Sequence, residues 1–132
     1  MTDIMSEQFG RELVARTSFE KEAIWMPLLA VHQLNANEPI IRGKTFTDCL
    51  IEGASLLAVL EGNAFDGCNM GVVSDPRSLF FKPQGPIAVG AVGLADCKFV
   101  RCTFRQVGFI ASDEFMQTMI DSMEAASQAG RA

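Results

Sequence analysis

Three short segments of this chain repeat one arrangement, in which a cysteine stands between two apolar residues. The segments are Phe46–Ile51, Phe65–Met70 and Leu94–Phe99, and in each the cysteine comes three places after the first apolar residue. The first two segments are offset by 19 residues and the third begins 29 residues after the second. A repeated period of this kind is typical of solenoids, whose equivalent residues stack in successive coils, and a loop of about ten residues would account for the longer offset.

A five-residue step runs inside this coarse repeat. Apolar residues five apart, each with a small or apolar residue two places earlier, are Leu94, Phe99, Phe104 and Phe109, preceded by Val92, Cys97, Cys102 and Val107. The same step links Phe46, Ile51 and Leu56. The pattern resembles the pentapeptide-repeat proteins, cleanly over residues 92–110 and partly over 44–72. That resemblance implies a right-handed, four-sided parallel β-helix of about 20 residues per coil, with both repeated positions pointing inward.

The expected fold is therefore mainly β, a short right-handed parallel β-helix within a single domain of residues 1–132. The coils are expected over 13–72 and 87–111, with a loop insertion over 73–86, and residues 13–45 are expected to form an incomplete first coil. An amphipathic helix over 113–127 would cap one open end of the solenoid, with a Met-rich apolar stripe that could alternatively bind a partner protein. A short N-terminal helix is expected over 5–16.

Composition limits the classes of protein that this chain can belong to. Residues are 48% hydrophobic and 20% charged, and no apolar run approaches the length of a membrane span, so we expect a globular protein that does not enter a membrane. The first residues lack the apolar stretch of a secretory signal, which favours a cytoplasmic location. With a net charge of −5 and no cluster of Lys and Arg, direct nucleic-acid binding is not expected.

The four cysteines do not have the spacing of a metal site. Cys49, Cys68, Cys97 and Cys102 are separated by 19, 29 and 5 residues, and His32 is the single histidine. Metal ligands normally come as close pairs, and disulfides need an oxidising compartment. We therefore expect four reduced, buried thiols and no bound metal. Together with three core phenylalanines they would form a structural ladder, whose other members are Phe99, Phe104 and Phe109.

The predicted insertion contains the strongest candidate contact surface. Its central part combines apolar and basic side chains, namely Arg77, Leu79, Phe80, Phe81 and Lys82. Aromatic and basic residues together are typical of protein interfaces. The alternative is that the apolar members fold back and complete the core.

No catalytic motif accompanies these features. His32 lacks a recognisable nucleophile context, no glycine-rich phosphate loop is present, and Asp48 and Asp96 have the character of outward residues that end strands. We expect a small non-enzymatic β-helical module without a cofactor, used for interaction with a protein partner or for self-association into homo-oligomers. One alternative follows from quinolone-resistance members of the pentapeptide-repeat family, which mimic DNA and bind gyrase. An enzyme of unrecognised type is the second alternative.

Overall fold

The computed structural model describes residues 6–71, 75–82 and 90–129. Within these residues the chain forms three α-helices, a single 3₁₀ turn and ten strands. The helices are α1 (Glu7–Ala15), α2 (Met26–Asn35) and α3 (Asp113–Ala129), and the 3₁₀ turn is Pro76–Leu79. The strands are β1 (Ser18–Glu20), β2 (Ala23–Trp25), β3 (Ile40–Arg42), β4 (Thr45–Thr47), β5 (Leu50–Val59), β6 (Ala64–Asp66), β7 (Phe80–Phe81), β8 (Val92–Ala95), β9 (Lys98–Val100) and β10 (Thr103–Ile110).

Sheet A consists of four parallel three-residue strands in the order β1-β4-β9-β6. Each strand places a phenylalanine at its centre, and the register sets Phe19 beside Phe46, Phe46 beside Phe99 and Phe99 beside Phe65. Neighbouring rings are nearly parallel, with centroids 4.8–5.0 Å apart. This stack, the phenylalanine column, forms one wall of the core.

Residues with positive φ make the corners after these strands. Lys21 after β1 and Asp48 after β4 have φ of 53°, Arg101 after β9 has 51°, and Gly67 after β6 has 63°. Asp96, with φ of 53°, makes the corner between β8 and β9. A left-handed residue turns the chain sharply, and aspartate tolerates it better than most residues. The two aspartates predicted to end strands therefore lie at corners, with exposed side chains.

Sheet B is larger and less regular. Its six parallel strands run β3-β8-β5-β10-β7, with β2 also paired to β5. The pairing of β5 with β10 shifts register between Arg105 and Val107, where Gln106 adopts a φ of 59°. Opposite this bulge, a Cβ at Gly53 would overlap the carbonyl oxygen of Gln106, so the two backbones can approach this closely only because position 53 is glycine.

The helices begin where the sequence supplies suitable caps. Ser6 accepts a hydrogen bond from the amide of Phe9 in α1, and Ser112 does the same for Phe115 in α3. α2 starts at Met26 with Pro27 in its first turn, where proline costs no hydrogen bond. The C-terminal helix predicted over 113–127 and the N-terminal helix predicted over 5–16 are both present.

The core lies between the two sheets and is closed by the helices. Its fully buried side chains include five phenylalanines, with aliphatic residues from sheet B and α2 filling the remainder. These phenylalanines are Phe19, Phe46, Phe99, Phe104 and Phe109. Met116 of α3 is buried, and Met119 and Met123 pack against the core, so the Met-rich stripe of this helix contacts its own chain.

The predicted mainly β solenoid is wrong. The architecture is mixed α/β, with two parallel sheets and three helices. Residues 26–35, expected to belong to an incomplete coil, form α2, because Met, Leu and Ala favour a helix and Pro27 stands in its first turn. In addition, β9 lies between β4 and β6, although it follows both in the chain, so the layers do not succeed one another in sequence order as solenoid coils do.

The segment predicted as an irregular insertion, 73–86, is partly ordered. Its described residues, 75–82, contain the 3₁₀ turn and β7, which pairs with β10. The turn begins at proline, whose missing N–H costs no hydrogen bond at that position, and the Asp75 side chain accepts a hydrogen bond from the amide of Arg77. Residues 73, 74, 83–86 and the start of the predicted second coil, 87–89, lie outside the described residues. Among the described helices, none is long and apolar enough to cross a membrane.

Candidate functional site

The aromatic and basic residues of the predicted contact segment separate into inward and outward groups. Leu79 is buried, and the ring of Phe80 lies 6.0 Å from that of Phe109 in the core. These two residues fold back as the structural alternative proposes. Phe81 points the other way and remains 50% exposed.

Both basic residues of this segment are paired with acids. Arg77 binds the carboxylate of Asp75 at 2.8 Å and, by hydrogen bonding to it, lowers the pKa of that carboxyl. Lys82 binds Asp113 at the start of α3, at 2.7 Å. The segment therefore presents local ion pairs around an exposed aromatic ring, rather than a patch of net positive charge.

The exposed aromatic ring borders a half-open groove of about 530 Å³. The ring lies over Gly108 of β10, and a Cβ there would crowd both it and Leu56. Met70 and Leu79 contribute apolar surface to the groove. Within the described part of the chain, β7 pairs with β10 on one side and with no strand on the other. We call this surface, comprising Phe81, Met70, Gly71 and Gly108, the Phe81 groove.

The cysteines form a ladder, but not in the register that the three sequence segments suggested. Phe99 aligns with Phe46 and Phe65, so the true third copy is Phe99–Phe104 and its cysteine is Cys102. Cys49, Cys102 and Cys68 therefore occupy equivalent positions, each just after the corner that follows β4, β9 or β6. Cys97 lies one corner earlier, and the choice of Leu94–Phe99 as a copy was wrong by one five-residue step.

Six of the seven predicted ladder residues are buried. Phe99, Phe104 and Phe109 are buried and contact one another in succession, with centroids 5.3 and 5.5 Å apart. Cys49, Cys97 and Cys102 are buried, and burial raises the pKa of the Cys97 thiol. Cys68 differs from the expectation because it is partly exposed.

A polar cleft that sequence reasoning missed lies between α1, α2 and β3, with a volume of about 470 Å³. Lys44 is buried there, and its ammonium donates to the carbonyl oxygens of Val14, at 2.6 Å, and Arg16 at the end of α1. Desolvation lowers the pKa of Lys44. The Gln33 amide nitrogen donates to the Glu38 carbonyl at 2.7 Å, while its buried side-chain oxygen has no hydrogen-bond partner among the described residues. The sequence contains one sign of this cleft. Lys44 stands two places before Phe46, a position where the repeat otherwise has a small inward residue.

His32 of α2 is buried against α1. Its ring meets Phe9 edge to face at 5.9 Å, and Gly10 packs directly on it. In the described residues no group of three His, Cys, Asp or Glu side chains is arranged to hold a metal ion.

Comparisons with known proteins give no relative from which a function could be transferred, because no protein-family model, curated protein or solved structure matches this chain. The resemblance to pentapeptide-repeat proteins thus remains a sequence-based prediction.

Proposed function

We propose that this protein is a small non-enzymatic interaction module that binds an extended segment of a partner protein along the Phe81 groove. The observation that carries the proposal is the half-exposed Phe81 ring on an edge strand beside an apolar groove. Large exposed aromatic residues next to a concave apolar surface are typical anchors of protein recognition. A cytoplasmic location belongs to the same proposal.

The form of the partner follows from the strand that carries Phe81. An edge strand offers backbone N–H and C=O groups to an added strand, and the groove can take an apolar side chain of that strand. Lys82 and Arg77 are already neutralised by Asp113 and Asp75. We therefore expect an uncharged, apolar extended segment rather than an acidic one.

A second copy of this chain is the alternative occupant of the Phe81 groove. A second copy would bring another net charge of −5 to the interface, so like charges disfavour this arrangement at low ionic strength. The DNA-mimicking alternative requires a rod of successive coils. Because the chain does not form such a solenoid, we do not propose this function.

The experiment selects peptides from a displayed random library on the folded wild-type protein and measures the selected synthetic peptides by calorimetry. We expect apolar sequences whose affinity falls at least about tenfold for Phe81→Ser, since aromatic anchors commonly contribute more than about 1 kcal/mol. Leu34→Ser is the matched control, because Leu34 is 63% exposed on α2, away from the groove.

Three results would overturn the proposal. Peptides that bind wild type and Phe81→Ser equally, or a library that gives no binder, would remove the groove as a recognition site. Light scattering that shows a concentration-dependent dimer in wild type, lost in Phe81→Ser but kept in Leu34→Ser, would assign the groove to a second copy instead.

A further inference from the structure

The cysteines of the corrected ladder lie side by side at the end of sheet A. The register of β6 with β9 and the bridge between Asn69 and Thr103 set Cys68 directly opposite Cys102. The amide of Asn69 also donates to the carbonyl of Cys102 at 2.9 Å. Neighbouring strands are about 4.8 Å apart, within the Cα separation of about 4.4–6.8 Å that disulfides span.

Accessibility distinguishes these two thiols. Cys68 is partly exposed at the edge of sheet A, whereas Cys102 is 1% exposed beneath it. Cys49 lies on the other side of Cys102 but is itself buried. Of the four cysteines, all of which are described, only Cys68 offers a reagent a direct approach.

Hydrogen bonding prepares the outer sulfur for reaction. The interaction of its side chain with that of Cys102 lowers the pKa of Cys68 to about 7 and raises that of Cys102, while the Cys68 thiol donates to the carbonyl oxygen of Phe99 at 3.2 Å. Backbone hydrogen bonding at Cys102 and Asp66 also lowers the pKa of Cys68, whereas partial burial and the Asp66 carboxylate oppose the shift. The thiolate is the nucleophilic form of cysteine, so a substantial fraction of Cys68 can attack at neutral pH.

We propose that Cys68 and Cys102 form a thiol–disulfide exchange pair, in which Cys68 attacks a small-molecule disulfide and Cys102 resolves the product. This inference is independent of partner binding at the Phe81 groove. The edge position of β6 supports it, because a three-residue edge strand can move the short distance that brings two opposed cysteine sulfurs to bonding distance.

The reaction balances in two steps. The Cys68 thiolate forms a bond to one sulfur of the small disulfide, the original S–S bond breaks, and one thiolate leaves. Cys102 then loses its proton to solvent and attacks the Cys68 sulfur, which breaks the mixed disulfide and releases the second small thiol as its thiolate. The protein dithiol is oxidised by two electrons, and the small disulfide is reduced to two thiols.

The product would link the segment that follows β6 covalently to the segment that follows β9. Phe65 of β6 also contacts Phe115 of α3, with ring centroids 5.6 Å apart. Oxidation would thus join the edge strand that contacts α3 to its neighbour in the same sheet. Because this strand must move for the disulfide to form, the disulfide is expected to be strained and readily reduced, as regulatory disulfides are.

The test treats the full chain with oxidised glutathione, traps free thiols with N-ethylmaleimide, and identifies the products by intact mass and peptide mapping. Wild type is expected to lose two hydrogen atoms and to carry a Cys68–Cys102 disulfide without a lasting glutathione adduct. Cys102→Ser and Cys102→Ala should both retain one glutathione on Cys68, and Cys68→Ser should react at least about tenfold more slowly than wild type.

Cys97→Ser is the matched control, because Cys97 is buried at the neighbouring corner and should not alter the reaction. Circular dichroism confirms that each variant is folded, and the two Cys102 substitutions guard against failure of one of them to fold. A stable adduct on wild-type Cys68, a bridge between Cys49 and Cys102, or an unchanged rate in Cys68→Ser would overturn the exchange pair.

Discussion

Sheet A repeats one three-residue strand four times, whereas sheet B combines strands of two to ten residues with a bulge and lies next to a helix. In sheet A the same position of every strand is a phenylalanine, and the rings stack in register. In sheet B the buried positions hold different residues, for example Ile51, Leu57, Leu94 and Phe109. Repetition in the sequence thus becomes repetition in structure only where the strand length repeats as well.

The comparison of the two sheets also shows what a sequence repeat predicts about strand register and what it leaves open about strand order. A repeated residue shows which positions lie side by side, because identical side chains at one register position stack well on parallel strands. It does not show the order in which the strands are stacked. The phenylalanines of sheet A are in register, but β9 lies between β4 and β6 although it follows both in the chain. This order is set by long-range packing rather than by the local pattern.

The largest expected effect tests the phenylalanine column at its most enclosed position. Phe99 is fully buried with a ring on each side, so Phe99→Ala should lower the free energy of unfolding by about 3–5 kcal/mol. Phe19 ends the column, with one stacked neighbour and the Arg16 guanidinium 4.2 Å from its ring centroid. Phe19→Ala is the matched control and should cost about 1 kcal/mol less.

Urea unfolding followed by far-ultraviolet circular dichroism measures both variants. Equal losses would mean that stacking within the column contributes little beyond burial. A loss below about 1 kcal/mol for Phe99→Ala would contradict its place in the core.

The core phenylalanines and the helices show how much of the fold could be predicted from the sequence. The five-residue step correctly identified Phe99, Phe104 and Phe109 as core residues, and the apolar stripe identified α3. The step could not identify α2, because Phe19, Ile24 and Leu29 continue the same five-residue spacing and Leu29 stands inside the helix. Short apolar spacing is compatible with both a strand and a helix.

The candidate sites were predicted unevenly for a related reason. The contact segment was proposed from its aromatic and basic residues, and its composition alone did not show that Phe81 would be the exposed ring of the adjacent pair Phe80 and Phe81. The pairing of Cys68 with Cys102 was missed, because Cys97 and Cys102 both fit the repeat and only strand pairing chooses between them. The Lys44 and Gln33 cleft depends on contacts between elements far apart in sequence, such as the bond from Lys44 to Val14.

The next effect tests the irregularity of sheet B. Gly53→Ala would place a methyl group against the Gln106 carbonyl, so the bulge of β10 must shift and we expect a loss of about 2–3 kcal/mol in unfolding free energy. Gly43→Ala is the control from a corner with φ of +71° and nothing within 4 Å of the added Cβ. It should cost only the strain of a left-handed alanine, about 1 kcal/mol.

Thermal and urea unfolding of the two alanine variants provide the measurement. If Gly43→Ala proves the more damaging, the close approach of β5 to β10 at the bulge is not a constraint on sheet B. If Gly53→Ala is neutral, the two strands can separate at the bulge without loss.

The smallest expected effect concerns an exposed corner of sheet A. Arg101 binds Asp48 at 2.8 Å, and this hydrogen bond, with lesser help from Lys21, lowers the pKa of the Asp48 carboxyl from its ordinary 3.8. Because the folded-state pKa is the lower one, the stabilisation is fully present above pH 3.8 and is lost as the pH falls through the folded-state pKa. Asp48→Asn, which keeps a residue tolerant of positive φ, should lower the melting temperature slightly at pH 7 and low salt, and the difference should shrink in strong acid and in high salt.

Asp96→Asn is the matched corner control, since the nearest cation, Arg42, is 3.7 Å away. Melting curves in which both variants shift equally at pH 7, or in which the Asp48→Asn shift persists in molar salt, would show that the ion pair with Arg101 is not the cause of the shift.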